Sequence, residues 1–116
     1  MIEVRRPVAR DFVVFEYQPA DVALGDWYRA NADYMERICD ETARTITWGG
    51  KPRGIGGILP TGEAWTLLSA DCRRVMPILV RVVRSALRWY GLHVGTVYAT
   101  IDETRPECVR WAKLLG

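Results

Sequence analysis

The stretch "LLSADCRRVMPILVRVVRSALRWYG", Leu67 to Gly91, constrains the fold more than any other part of the chain. Val75, Ile78, Leu79, Val82, Val83, Ala86 and Tyr90 fall on one side of a helix, with Arg74, Arg81, Arg84 and Arg88 on the other. An apolar, strand-like run comes first, so a strand feeds a long helix across a short junction, Ala70 to Arg74. Proline is tolerated only in the first helical turn, so Pro77 sets the start near Arg74 or Val75. Gly91 is a natural stop. A strand-to-helix junction is a common holder of phosphate, because free N–H groups and the helix dipole point at it.

The remaining segments supply the partners of this unit. "MIEVRRPVARD" reads as an irregular arm, and "FVVFEYQ" (Phe12 to Gln18), β-branched and aromatic, as a strand. "PADVALG" reads as a helical turn stopped by Gly25. From Asp26, a plausible N-cap, Trp27, Ala30, Tyr34 and Ile38 recur at helical spacing and predict one apolar face. "TITWGG" and "GIGGILP" predict a hairpin around the turn chemistry of "GKPRG", and "EAWTLLS" continues it as an antiparallel meander. "HVGTVYATI" predicts one more strand and "RPECVRWAKLLG" a final helix. A helix between the strands of residues 65 to 101 is a crossover, which makes those strands parallel and the connection right-handed. The expected fold is α+β or mixed α/β: a central mixed sheet, an antiparallel meander plus one parallel β-α-β crossover, with helices on both faces.

Composition narrows the function classes. At 116 residues the chain is one domain, able to bury roughly two thirds of its unfolded surface. No apolar run approaches the roughly 20 residues of a membrane span, and no charged-then-apolar leader opens the chain, so no membrane role is expected. A net charge of +2 is too small to imply nucleic acid by itself. Lys51 and Lys113 apart, every basic residue is arginine, a bias that fits either interface contacts or a GC-rich genome. Cys39, Cys72 and Cys108 lack a CxxC spacing and read as buried free thiols, with no metal site. Most of the five tryptophans are expected in the core, and Arg88-Trp89 and Arg110-Trp111 are candidate cation–π pairs.

The order of elements, with the ending "VYATIDETRPECVRWAKLLG", resembles the GNAT family of N-acetyltransferases. In that family the penultimate strand precedes a segment of the type N-x-x-A-x-x-x-Y-x-K-x-G-F. The pair "GIGGILPTGEAWTLLS" with its Trp65, plus "RWAKLLG", is similar to the small GNAT-like proteins of tailed phages, some of which are internal virion proteins. The likeness covers residues 40 to 116, and the first 25 match poorly. It implies a single GNAT-like domain over 1–116, with 1–11 as an arm and 12–116 as a core lacking the usual C-terminal strands. It also implies acetyl-CoA as the cofactor to test, along Leu67, Leu68, Ser69, Arg73, Arg74 and Val75.

The chain departs from the family where the chemistry lies. GNAT enzymes grip pyrophosphate with a Q/R-x-x-G-x-G/A loop; here the loop is "SADCRRVMP", without glycine and with Asp71 opposing an anion. Arg73 and Arg74 would supply compensating bonds. Aligned on Gly116, the family's acid tyrosine falls on Ala112 and its asparagine on Arg105. Glu63, Asp102 and Glu103 are the carboxylates near strand ends. Glu63, close to Trp65, is the candidate base, against a reading as a solvated turn residue. Tyr98 is the candidate acid, against half-buried strand packing. His93 has no partner pattern and reads as exposed loop.

Three functions compete. The first is a phage-derived, catalytically degenerate GNAT-fold protein acting through protein contacts as a virion or assembly component, in the host cytoplasm or the virion. The second is an active acetyl-CoA-dependent N-acetyltransferase. The third, a nucleic-acid module on the arginine stripe, is opposed by the ordinary solvated-face reading of that stripe. Residues 94–101 carry no proline, lysine or charge, so that strand is expected as an open edge favouring a homo-oligomer or docked partner, framed by Arg105, Arg110 and Trp111. The alternative is that Met1 to Arg10 folds back onto it in a monomer.

Overall fold

A computed structural model describes residues 1–39, 41–101 and 103–116. Its centre is a four-stranded antiparallel sheet in the order β1 (Ile2–Arg5), β2 (Arg44–Trp48), β3 (Lys51–Ile58), β4 (Ala64–Leu68). Before β2 come α1 (Ala9–Val14), a 3-10 turn (Pro19–Asp21), α2 (Val22–Ala30) and α3 (Ala32–Ile38). After β4 come a 3-10 turn (Cys72–Val75), α4 (Met76–His93) and α5 (Pro106–Leu115).

Side-chain alternation along the strands gives each sheet face its own core. Ile55 packs with Phe12, Phe15, Tyr17, Ala32 and Met35 under α1 and α3. Ile46 packs on the other face with Cys72, Val75, Leu79 and Trp111, under α4 and α5. The meander expected over β2 to β4 is present. Its first turn is tighter than "GKPRG" suggested: Gly49 and Gly50, at φ of 61° and 79°, make a two-residue connection, and Lys51 to Gly54 already belong to β3. Pro52 is accommodated where the register shifts between Ile46 and Thr47.

The N-terminal half corrects several expectations. Residues 1–11 are not an irregular arm, since Ile2–Arg5 pair in register with Trp48 back to Thr45. The I-E-V-R alternation carried that signal, masked by the arginines and Pro7. Phe12 to Gln18 is not a strand: Phe12 to Val14 close α1, and Tyr17 makes a lone antiparallel bridge to Ser69. Phe12 and Phe15 sit one helical turn apart and are fully buried, so packing overrides the β preference of the run.

Gly25 does not stop a helix but lies inside α2, where it lets the backbone approach Tyr17: a Cβ there would fall 2.5 Å from the ring carbon Cδ2. The helix expected from Asp26 breaks at Asn31, whose side-chain amide donates to the Trp27 carbonyl at 2.8 Å. That break changes the phase. Trp27, Tyr34 and Ile38, expected to be buried, are 48%, 46% and 52% exposed, and Ala32 and Met35 face the core instead.

In the C-terminal half, α4 begins after a 3-10 turn close to the expected point, and continues past Gly91 to His93. Residues 94–101 do not form a strand; Tyr98 makes one parallel bridge, to Glu63. The N-terminal segment does not cover this stretch, because β1 lies at the sheet edge opposite β4. Trp27, Trp48 and Trp89 are exposed and only Trp111 is fully in the core, against the expectation for the five tryptophans.

Candidate functional site

A cleft of about 1100 Å³ opens between the sheet and α4, bounded at one side by residues 97–101. Gly54 and Gly56 leave its floor without side chains, while Ile46, Leu68, Val83 and Trp111 wall it. α4 touches the sheet through Leu79, and its later residues Ala86 and Tyr90 rise away from the core.

Two of the expected site residues meet at the mouth of this cleft. The Ala64 N–H donates to the Tyr98 carbonyl at 2.7 Å, and the Tyr98 N–H donates to the Gly62 carbonyl at 3.1 Å. The Thr100 hydroxyl donates to Glu63 Oε2 at 2.8 Å. Glu63 is half-buried and Tyr98 is 49% exposed, so both side chains reach solvent from a fixed backbone. Gly62, just before Glu63, makes this possible. Its φ is 93°, and a Cβ there would fall 2.6 Å from the Thr96 carbonyl oxygen. Chemically the pair offers one proton acceptor and one phenol beside an apolar cavity.

The expected cofactor residues divide. Leu67 and Leu68 line the cleft, Leu67 also packing against the Phe12 cluster. Ser69 and Val75 are buried away from the lining, and Arg73 and Arg74 stand exposed on the 3-10 turn. Four of the junction's backbone donors are already engaged. Ser69 N–H bonds the Arg53 carbonyl at 3.0 Å, Ala70 that of Glu16 at 2.8 Å, Cys72 that of Ser69 at 3.1 Å, and Arg74 that of Asp71 at 3.4 Å. The Asp71 carboxylate accepts from the Arg53 guanidinium and, at 2.7 Å, from the Ser69 hydroxyl. The Arg53 bond, more than offsetting partial desolvation, holds the Asp71 carboxyl below its ordinary range.

Other candidates fall outside the cleft. Asp102 lies outside the described residues, and Glu103 is exposed. His93 is exposed at the end of α4 with its ring 5.0 Å from that of Trp89. Burial, then the neighbouring Asp71 charge, pushes the Cys72 thiol up, which makes it a poor nucleophile. No cluster of three metal-ligating side chains occurs among the described residues.

Of the three residues expected to frame an interface, Arg110 is exposed, while Arg105 and Trp111 make contacts within the chain. Arg105 bridges Asp21 at 2.9 Å and Glu107 at 2.7 Å, and Trp111 Nε1 donates to the Thr66 hydroxyl at 3.1 Å. Arg84, in the middle of the arginine stripe, donates to the Leu114 carbonyl. The cation–π contact among the described residues is Arg29 over Tyr17, 4.9 Å from the ring centre, rather than either Arg-Trp pair.

No protein-family model, curated protein or solved structure matches this chain. No helix among the described residues is long and apolar enough to cross a membrane.

Proposed function

We propose that the chain works through protein contacts, as a catalytically degenerate GNAT-fold component of the virion or assembly kind that its resemblance implies. Its place would be the host cytoplasm or the virion, docked to a phage structural protein or to copies of itself. One observation carries this reading: the junction that would hold a pyrophosphate spends four of its N–H groups on carbonyls of this chain. Four donors, from Ser69, Ala70, Cys72 and Arg74, are engaged, and Asp71 places a carboxylate there. Arg73 and Arg74 stand exposed, where they act as solvent-screened charges.

Titration of acetyl-CoA in a calorimeter tests it. The expected result is no measurable binding at about 100 μM ligand, an affinity weaker than about –5.5 kcal/mol. A dissociation constant in the low micromolar range, lost in the Arg73→Ala, Arg74→Ala double variant, would make the chain a cofactor-binding protein.

The second reading, an acetyl-CoA-dependent N-acetyltransferase, is favoured by the Glu63–Tyr98 pair at the cleft mouth. The parallel sense of their bridge is what a crossover through α4 requires. Glu63 would take a proton from an acceptor amine, and Tyr98 would give one to the departing thiolate.

A further inference from the structure

The outer edge of β4 is capped at both ends and open in the middle. Toward β3, Ser69 bonds Arg53 and Glu63 bonds Leu59, in an unbroken register. Backbone direction alternates along a strand, so Glu63, Trp65, Leu67 and Ser69 face β3, and residues 62, 64, 66, 68 and 70 face outward. At one outward end Gly62 and Ala64 bond Tyr98, and at the other the Ala70 N–H bonds the Glu16 carbonyl. Between them the N–H and C=O of Thr66 and the N–H of Leu68 have no strand beside them among the described residues, while the Leu68 carbonyl lies opposite Gln18 in the Tyr17–Ser69 bridge.

The surroundings of this gap select an occupant. Arg44, Arg84 and Arg88 line the cleft beside it. Among the described lining residues the one acidic side chain, Glu63, already accepts the Thr100 hydroxyl. Leu68 and Trp111 add apolar surface. Alternating donors and acceptors at strand spacing match the backbone of an extended peptide, and an excess of guanidinium matches acidic side chains.

We infer that the open edge of β4 receives an extended segment of a partner protein, carrying apolar and acidic residues, which pairs as an added strand with Thr66 and Leu68. This deepens the protein-contact reading above and rests on it. Edge pairing supplies affinity through main-chain bonds, and the arginines select against basic segments.

The test is amide hydrogen exchange of the full chain, read residue by residue, with a capped heptapeptide of alternating valine and glutamate as the probe. Saturating peptide is expected to slow exchange at Thr66 and Leu68 at least tenfold. A valine–lysine peptide, and the valine–glutamate peptide N-methylated at every residue, are expected to leave both amides unchanged. Arg88→Glu, at an exposed position on α4, is expected to weaken the dissociation constant at least threefold. Unslowed amides at millimolar peptide overturn the inference. If acetyl-CoA slows them instead, the protein-contact reading falls as well; if neither does, only the peptide falls. Protection present without ligand and fading on dilution of a dimer assigns the edge to a second copy, and that too overturns the peptide while leaving the protein-contact reading intact.

Discussion

The Arg5 guanidinium and the Asp11 carboxylate face each other through two bonds of 2.7 Å, fastening β1 to the start of α1. Asp11 is 2% exposed and also accepts the Val8 N–H at 2.9 Å and the Thr45 hydroxyl at 2.8 Å. Asp11→Ala leaves Arg5 and Thr45 without their partner. Because the Arg5 side chain keeps 35% exposure, the expected loss is about 2–4 kcal/mol rather than the upper range for fully buried pairs. Thr45→Val, which deletes one neutral donor, is expected to cost about 1–2 kcal/mol. Urea unfolding measures both, and near-equal losses would contradict the dominance of the charged pair.

The same carboxylate sets an acid limit. Burial pushes Asp11 up, but Arg5, the Val8 N–H and Thr45 together outweigh it and hold the carboxyl below its ordinary value. A lowered folded pKa contributes stability that is full above the unfolded value, about 4, and is lost as pH falls through the folded value. Asp71 acts in the same sense through Arg53. Unfolding free energy is therefore expected to fall steadily below about pH 4, and less steeply in Asp11→Ala. Equal slopes in the two proteins would rule Asp11 out as a source.

At the alkaline end, Tyr17 is the group to follow. Burial, with Arg29 pulling the other way, pushes its phenol up to about 12, and its hydroxyl donates to the Phe12 carbonyl at 2.8 Å. A raised folded pKa contributes stability that is present below the unfolded value, about 10, and is lost as pH rises toward the folded one. Ultraviolet titration of wild type against Tyr17→Phe is expected to assign the last folded-state ionisation to this residue. A difference spectrum centred near pH 10 would contradict it.

Gly62→Ala tests the latch between β4 and Tyr98. The new Cβ meets the Thr96 carbonyl oxygen at 2.6 Å, in a backbone conformation that side chains rarely adopt. The expected cost is about 1–3 kcal/mol, with faster exchange at the Ala64 and Tyr98 amides. Unchanged exchange would place the latch elsewhere.

Gly25→Ala is expected to destabilise by about 1–3 kcal/mol, although alanine is the better helix former by about 1 kcal/mol. The added methyl meets carbons of the Tyr17 ring at 2.5 and 2.6 Å, and that ring sits in a packed cluster. Thermal unfolding checks the sign, and a stabilised variant would mean that α2 moves away from Tyr17 freely.

Strong local patterns proved legible, and features set by distant partners did not. The meander and α4 were readable because turn glycines and a long amphipathic stripe carry their own signal. Trp27, Tyr34 and Ile38 misled because their spacing presumes one continuous helix, whereas the break at Asn31 rotates α3 relative to α2. Phe12 to Gln18 looked like a strand because its composition does not reveal a sheet already filled by Ile2–Arg5. Glu63 and Tyr98 were singled out as a carboxylate and a phenol near strand ends, and the structure sets their backbones side by side. The donors spent at Ser69, Ala70 and Cys72 were invisible, since backbone bonds to Arg53 and Glu16 leave no trace in residue type.

The pairing of β1 with β2 also has a cost in time. Ile2 finds its partner at Trp48, so the strand is synthesised long before the residues it needs, and at about 5–20 residues per second it waits roughly 2–9 s. Arg105 and Asp21 are farther apart still, 84 residues along the chain. During that interval the exposed backbone of Ile2–Arg5 is an unpaired strand, open to capture by a neighbouring nascent chain. The charges of Glu3 and Arg5, alternating along it, are the features that discourage such capture.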